Sequence, residues 1–292
     1  MGWKTIVISS NETLRLYLNN LEIENDSRRI LIPMYDIDTI VIESYTAVYS
    51  NKLIETLMKH NINLILCDSK HMPFVQMIPI QGHHNSLKIL EQQIKWDANY
   101  RNSLWKRIVS NKITNQKATL LKLNIVFNKD IFKYYIDNIQ DLDILNSEGN
   151  AAKYYWKCLF GNKFIRDYSC QKFHQINSYL NYGYSILRGM VARSIIKKGL
   201  DPRISIFHRS FLNFFALASD LMEVFRPLVD YQVYQLLQTE TKWNVIKEEI
   251  IKSLSNYKIK VNQKEFYLNN AIDIYIEKLQ TGQNLEWVDL WD

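Results

Sequence analysis

The stretch FHRSFLNFFALASDLMEVFRPLVD, residues 207–230, sets His208, Asp220 and Glu223 into a run that otherwise reads as a buried helix. Two chemistries suit that set: ordinary polar punctuation on a helix surface, or ligands for a cation. Asp220 and Glu223, three residues apart, leave a helix from one face about a turn apart. Carboxylates that close repel unless a positive charge stands between them. Arg226, three residues further on, is one source of that charge, and a metal ion is another. His208 lies between an apolar and an aromatic run, where histidine usually packs and hydrogen-bonds. A neutral imidazole beside carboxylates also suits Mn²⁺ and tolerates Mg²⁺. A third carboxylate, Glu148, follows Ser147 at a predicted helix start, where the helix dipole favours negative charge.

Spacing imposes a condition on any shared site. On one straight helix His208 and Glu223 would stand ~22 Å apart, whereas ligands lie ~2.1 Å from an ion such as Mg²⁺. A common site therefore requires the chain to turn back between Arg209 and Ala216.

The elements that must position these groups fall into two regions. Residues 1–75 read as a small β-rich domain, with the β-branched runs WKTIVIS, LRLYLNN, LEIEN, RILIPM, TIVIES and NINLILCD and one helix over 47–59. Residues 76–88, with Pro79, Gly82 and the pair His83-His84, read as a linker. Residues 89–292 read as a larger all-α domain. The 38 residues from Leu87 to Asn124 lack Gly and Pro and predict one or two helices. Further helices are predicted from Glu148, through NSYLNYGYSILRGMVARSIIKKG, and on to about residue 280. The fold class is thus α+β with two domains.

Composition bounds the function classes. No run approaches the ~18 apolar residues of a membrane span, and the opening MGWKTIVISS turns polar too soon for a signal peptide. Cys67, Cys158 and Cys170 have no CxxC spacing, which fits free thiols in a cytoplasmic protein. Phosphate loops of the GxxxxGK[ST] type, GxGxxG turns, HExxH and GxSxG are all missing. Residues 1–94 hold 8 basic and 10 acidic residues, and the remainder 28 and 20. Between Gly149 and Ser219, 11 basic residues face only Asp167 and Asp201, which points to a polyanionic partner. The aromatics of NYGYS read as core packing.

Several segments together resemble a known family. They are GWKTIVI at the start, EGNAAKYYWKCLFG at 148–161, LNYGYSILRGMVAR at 180–193, GLDP at 199–202 and DLMEVFRPLVD at 220–230. In this order they are similar to the CRISPR-associated integrases that capture foreign DNA as new spacers, most closely the type II branch. The resemblance spans essentially the whole chain. It departs from the family at Ser205, commonly Gly, and at Val224, commonly Pro.

The resemblance implies a catalytic C-terminal helical domain and a metal site of Glu148, His208 and Glu223, supported by Asp220, for Mg²⁺ or Mn²⁺. It implies an endonuclease and integrase that joins 3′-OH ends of prespacer DNA to the CRISPR repeat. It also implies a homodimer formed through the N-terminal domain and a small dimeric CRISPR-associated protein bridging two such dimers, with other type II adaptation proteins as further candidates. The basic stretch then has a role on double-stranded DNA, and the candidates are Lys153, Lys157, Lys163, Arg166 and Arg188, followed by Arg193, Lys197, Lys198, Arg203 and Arg209. Two alternatives compete with this reading: a stand-alone metal-dependent nuclease on branched repair intermediates, and a non-catalytic DNA-binding scaffold.

Overall fold

The computed structural model describes residues 4–25, 28–69, 72–77, 79, 83–169, 171–208, 212–239 and 242–291. The N-terminal region consists of two four-stranded sheets and a helix. Strands β1 (Lys4–Ile8), β2 (Thr13–Tyr17), β3 (Asn20–Asn25), β4 (Arg28–Pro33), β5 (Ile37–Ile42) and β6 (Val48–Tyr49) are followed by α1 (Asn51–Lys59), β7 (Asn63–Cys67) and β8 (Pro73–Met77). One sheet has the order β4-β3-β2-β6 and the other β1-β5-β7-β8. The β2–β3 hairpin turns through Leu18 and Asn19, both at positive φ, as a two-residue turn matching strand twist requires.

β5, IDTIVI, is buried along its whole length because its sheet is covered on both sides. One side carries the apolar cluster shared with α1 and the second sheet. On the other side, Val41 and Ile65 belong to the core of the helical region.

That region begins with α2 (Ser86–Ile94), α3 (Ala98–Lys122), α4 (Lys129–Asp137), α5 (Ser147–Phe160) and α6 (His174–Lys197). It continues through α7 (Ala216–Leu221), α8 (Arg226–Thr239) and α9 (Trp243–Asn256), with a 3₁₀ turn over Met222–Val224 between α7 and α8. The chain then forms a hairpin, β9 (Lys258–Val261) and β10 (Lys264–Tyr267), then α10 (Leu268–Glu277), and ends with β11 (Val288–Asp289), which joins β9. This three-stranded sheet is an addition to the helical domain expected from hydropathy. Among the described residues no helix is long and apolar enough to cross a membrane.

The two regions are pinned together by buried polar contacts. Glu43, at the end of β5, accepts from Lys247 of α9 at 2.6 Å and from the Tyr182 hydroxyl of α6 at 3.0 Å. Asp38 pairs with Arg193 of α6 at 2.6 Å, and Gln76 of β8 donates to the Gly189 carbonyl at 3.0 Å. β8 ends at Met77 and α2 starts at Ser86; of the expected linker, residues 78 and 80–82 lie outside the described residues. Tyr182 and Tyr184 of NYGYS are buried, as expected for core packing. Gly183 between them lets α6 approach α8, since a Cβ there would stand 2.4 Å from Val229 Cγ1.

Candidate metal and DNA site

The site forms where α3, the start of α5, the loop after Asp201 and the turn between α7 and α8 meet. Each element is anchored by local hydrogen bonds. Asn146, in the left-handed region at φ 51°, caps α5 by accepting from the Gly149 amide at 3.2 Å. The Asp143 carboxylate accepts from the amides of Ser147 and Glu148 at 2.8 and 2.9 Å, so the helix start is doubly satisfied. A Cβ on Gly149 would sit 2.4 Å from the capping oxygen, which accounts for glycine directly after Glu148. With the amides taken by Asp143 and Asn146, the Glu148 carboxylate is left to turn toward α3.

The chain does turn back after His208. Asp220 is fully buried on α7, and its Oδ2 accepts from the amides of Ile206 and Phe207 at 2.7 and 2.9 Å. Its Oδ1 accepts from the His208 amide at 3.2 Å and bonds the His208 Nδ1 at 2.6 Å. One carboxylate thus fastens the loop and orients the imidazole with Nε2 pointing away from it. Trp105 of α3 holds the ring from the side, edge-on at 5.2 Å between centroids, while stacking on Phe207 at 4.3 Å. The hydrogen bond to Asp220 raises the His208 pKa above its ordinary value against burial, and the charges of Glu223 and Glu148 act in the same direction.

Asp220 and Glu223 do not share a partner, although their spacing suggests one face. The 3₁₀ turn at Met222–Val224 tightens the chain between them. Glu223 is buried, and its Oε1 accepts from Arg226 Nη2 at 3.0 Å, the pairing that spacing allows. Its Oε2 accepts from the ammonium of Lys112, which also donates to Glu148 Oε1. Lys112 comes from the middle of α3 and is itself buried. The Lys112 charge holds the Glu148 carboxyl below the usual carboxylate range, against burial.

The structure therefore brings Glu148 and Glu223 onto one cation, with His208 close enough to feel both charges. Among the described residues, no three His, Cys, Asp or Glu side chains stand together as a ready metal cluster, and the ammonium of Lys112 bonds both glutamates. The donor types nevertheless fit a divalent ion: two carboxylates, an imidazole with an outward Nε2, and a positive charge already seated between the carboxylates.

The basic candidates divide by their partners. Lys153, Lys157 and Lys163 are exposed, the first two on α5. Arg188 of α6 is half-buried over the Phe215 ring at 5.6 Å, and burial together with the Arg226 charge lowers its pKa. The others are engaged within the chain: Arg166 with Asn177 and Asn181, Arg193 with Asp38, Lys197 with Asp273, Lys198 with Glu277 and Arg203 with Asp201. Arg209 lies outside the described residues, as does Cys170; Cys67 and Cys158 are free thiols. The rings of His83 and His84 stack on each other at 4.4 Å, apart from the carboxylates above.

Sequence reasoning missed Lys112, Asp143 and Asn146. A signal for the first existed: Asn111, Lys112, Asn115, Gln116 and Thr119 make a polar stripe along α3, and all five are buried.

Comparisons with known proteins place this architecture. Residues 6–257 match the family model described as CRISPR associated protein Cas1. The chain is 32% identical to the CRISPR-associated endonuclease Cas1 of Neisseria meningitidis serogroup C, over 97% of this chain and 92% of that one. A casposase bound to integration product has the same fold, with a TM-score of 0.77 at 22% identity, covering 95% of this chain and 89% of the other. A chain of a Cas6-RT-Cas1–Cas2 complex superposes with a TM-score of 0.71 at 16% identity, over 95% of this chain and 34% of that longer one.

Proposed function

Because the chain belongs to the Cas1 family of CRISPR-associated proteins, we propose that it is a metal-dependent DNA integrase and endonuclease of CRISPR adaptation. In this reading it joins the 3′-OH ends of prespacer DNA to the CRISPR repeat by phosphodiester transfer. The observation that carries the reading is the meeting of Glu148 and Glu223 on one cation beside an imidazole held by Asp220.

Glu148, Glu223 and the His208 Nε2 are the groups that would hold Mg²⁺ or Mn²⁺. Such an ion supplies charge to the phosphate oxygens in the transition state and eases deprotonation of the attacking hydroxyl. The chain's own contribution is orientation. Asp220 keeps the proton on Nδ1 so that Nε2 presents a lone pair, as carboxylate–histidine pairs do at metal sites. Arg226 fixes one oxygen of Glu223 and leaves the other for the shared cation. Arg188, beside Arg226 and over Phe215, is positioned to receive a phosphate close to the site, and Lys153 and Lys157 extend the basic surface along α5. Such contacts hold a duplex without reading its sequence. The partners in this reading are double-stranded DNA, a second copy of the chain and a small dimeric bridging protein, in keeping with the Cas1–Cas2 assembly whose chain shares this fold.

The test is strand transfer from a fluorescent prespacer duplex into a plasmid carrying the repeat, with Mg²⁺ or Mn²⁺ and the bridging partner. Glu148→Gln and His208→Ala abolish joined product if the site is catalytic, while DNA binding persists. Undiminished joining by both variants would make the chain a scaffold. Cleavage of branched DNA with no joining would make it a stand-alone nuclease.

A further inference from the structure

A buried lysine needs a reason, because removing an ammonium from water is costly unless it is paired. Three other buried polar residues of the stripe on α3, Asn111, Asn115 and Thr119, have structural partners. Asn111 exchanges two hydrogen bonds with the backbone of Val288, and Asn115 donates to the carbonyls of Val224 and Val288. These contacts tie α3 to the C-terminal strand and to the turn between α7 and α8. Lys112 instead gives its ammonium to Glu148 and Glu223, which come from elements 36 and 111 residues away along the chain.

Two positive charges face the two glutamates. Glu148 and Glu223 meet Lys112 and Arg226, while Asp220 is taken up by three amides and His208. A divalent ion approaching the two glutamates therefore finds a neutral group of four, not a bare pair of negative charges. One of the two cations has to give way. Arg226 is anchored: its guanidinium lies over the Tyr184 ring at 4.9 Å as well as on Glu223. Lys112 carries a point charge on a flexible four-carbon stem, and it stands between the two carboxylates where the ion would sit.

We propose that Lys112 is a resident counter-cation that competes with the divalent ion for Glu148 and Glu223. It keeps the two carboxylates together before the ion arrives, and it holds the metal affinity of the free protein below what the same ligands would give alone. This rests on the reading of Glu148, His208 and Glu223 as the metal-holding set. It differs in sign from a propping role. A lysine that merely props the glutamates would loosen them when removed, and metal binding would weaken. A competing lysine does the reverse, because its removal leaves two facing carboxylates that a divalent ion relieves.

The experiment uses the full chain without DNA at pH 8, titrated with Mn²⁺ alone and followed by the electron paramagnetic resonance signal of free Mn²⁺. Wild type, Lys112→Met and Lys112→Gln are compared, with thermal unfolding measured alongside; the glutamine keeps a donor to the carboxylates should the methionine variant not fold. Both neutral variants are expected to bind Mn²⁺ about tenfold more tightly than wild type, equivalent to about 1.4 kcal/mol. Both should also melt lower than wild type without the ion and gain more from adding it. A folded neutral variant that binds Mn²⁺ no more tightly than a wild type that does bind it overturns the competition and leaves the metal site standing. Failure of all three proteins to bind Mn²⁺ overturns the metal reading itself, and the competition with it.

Discussion

Replacing Asp220 by asparagine tests how the site is oriented, because the two oxygens of Asp220 have separate tasks. Oδ2 receives the amides of Ile206 and Phe207, and Oδ1 receives the His208 amide and faces its Nδ1. In Asp220→Asn the remaining oxygen can keep the two Oδ2 bonds, so the loop stays on α7. The new NH₂ then faces His208. There it can only donate, so Nδ1 must become the acceptor and the ring proton moves to Nε2. The His208 amide, which is only part-buried, loses its partner as well, at a cost of about 0.5–1.5 kcal/mol for one net hydrogen bond. A folded protein with a lowered melting temperature is expected, in which Nε2 no longer offers a lone pair. Loss of a carboxylate behind a ligating histidine typically lowers metal affinity or activity about 10–100-fold. The assay is Mn²⁺ titration and strand transfer at pH 8, with ¹⁵N chemical shifts of the imidazole reporting which nitrogen holds the proton. A variant that keeps the proton on Nδ1, or moves it to Nε2 with metal binding and joining within twofold of wild type, would mean that Asp220 does not set the orientation of the site.

Two further outcomes follow from the same geometry. Gly149→Ala places a Cβ 2.4 Å from the Asn146 oxygen, so the cap must swing away; calorimetry should show a loss of about 0.5–2 kcal/mol, and an unchanged melting temperature would mean the cap is dispensable. Burial pushes the Asp230 carboxyl up to about 7, against the hydrogen bond from the Tyr184 hydroxyl that lowers it. The folded protein thus holds a proton there that the unfolded chain has released, so this contribution to stability is complete below about pH 4 and is lost as pH rises toward 7. Urea unfolding of wild type between pH 4 and 7 should slope downward relative to Asp230→Asn, by up to about 1 kcal/mol per unit; parallel profiles would contradict it.

The order of elements is legible along the chain. β-branched runs broken by Asn and Asp turns mark the N-terminal strands, since strand preference and turn chemistry are local. The stretch free of Gly and Pro marks α2 and α3, although the break at Asp97 shows only in the cap, where its carboxylate accepts the Tyr100 amide. The hairpin over 258–267 escaped because its exposed lysines and glutamate blur the alternation, and its turn at Asn262-Gln263 needs positive φ at both residues. Spacing along the chain established that His208 and Glu223 could share a site only if the chain turned back.

What the spacing could not contain was the means. The loop folds back because Asp220, an acidic residue like any other in the string, is buried where three amides converge on it. Glu148 faces inward because Asp143 and Asn146 satisfy its helix start first. Lys112 stands between the glutamates because α3 passes behind both, a placement that exists only once distant elements pack. Local sequence preferences act over a few residues, whereas the charge balance of this site is set among side chains up to 111 residues apart and depends on their shared burial.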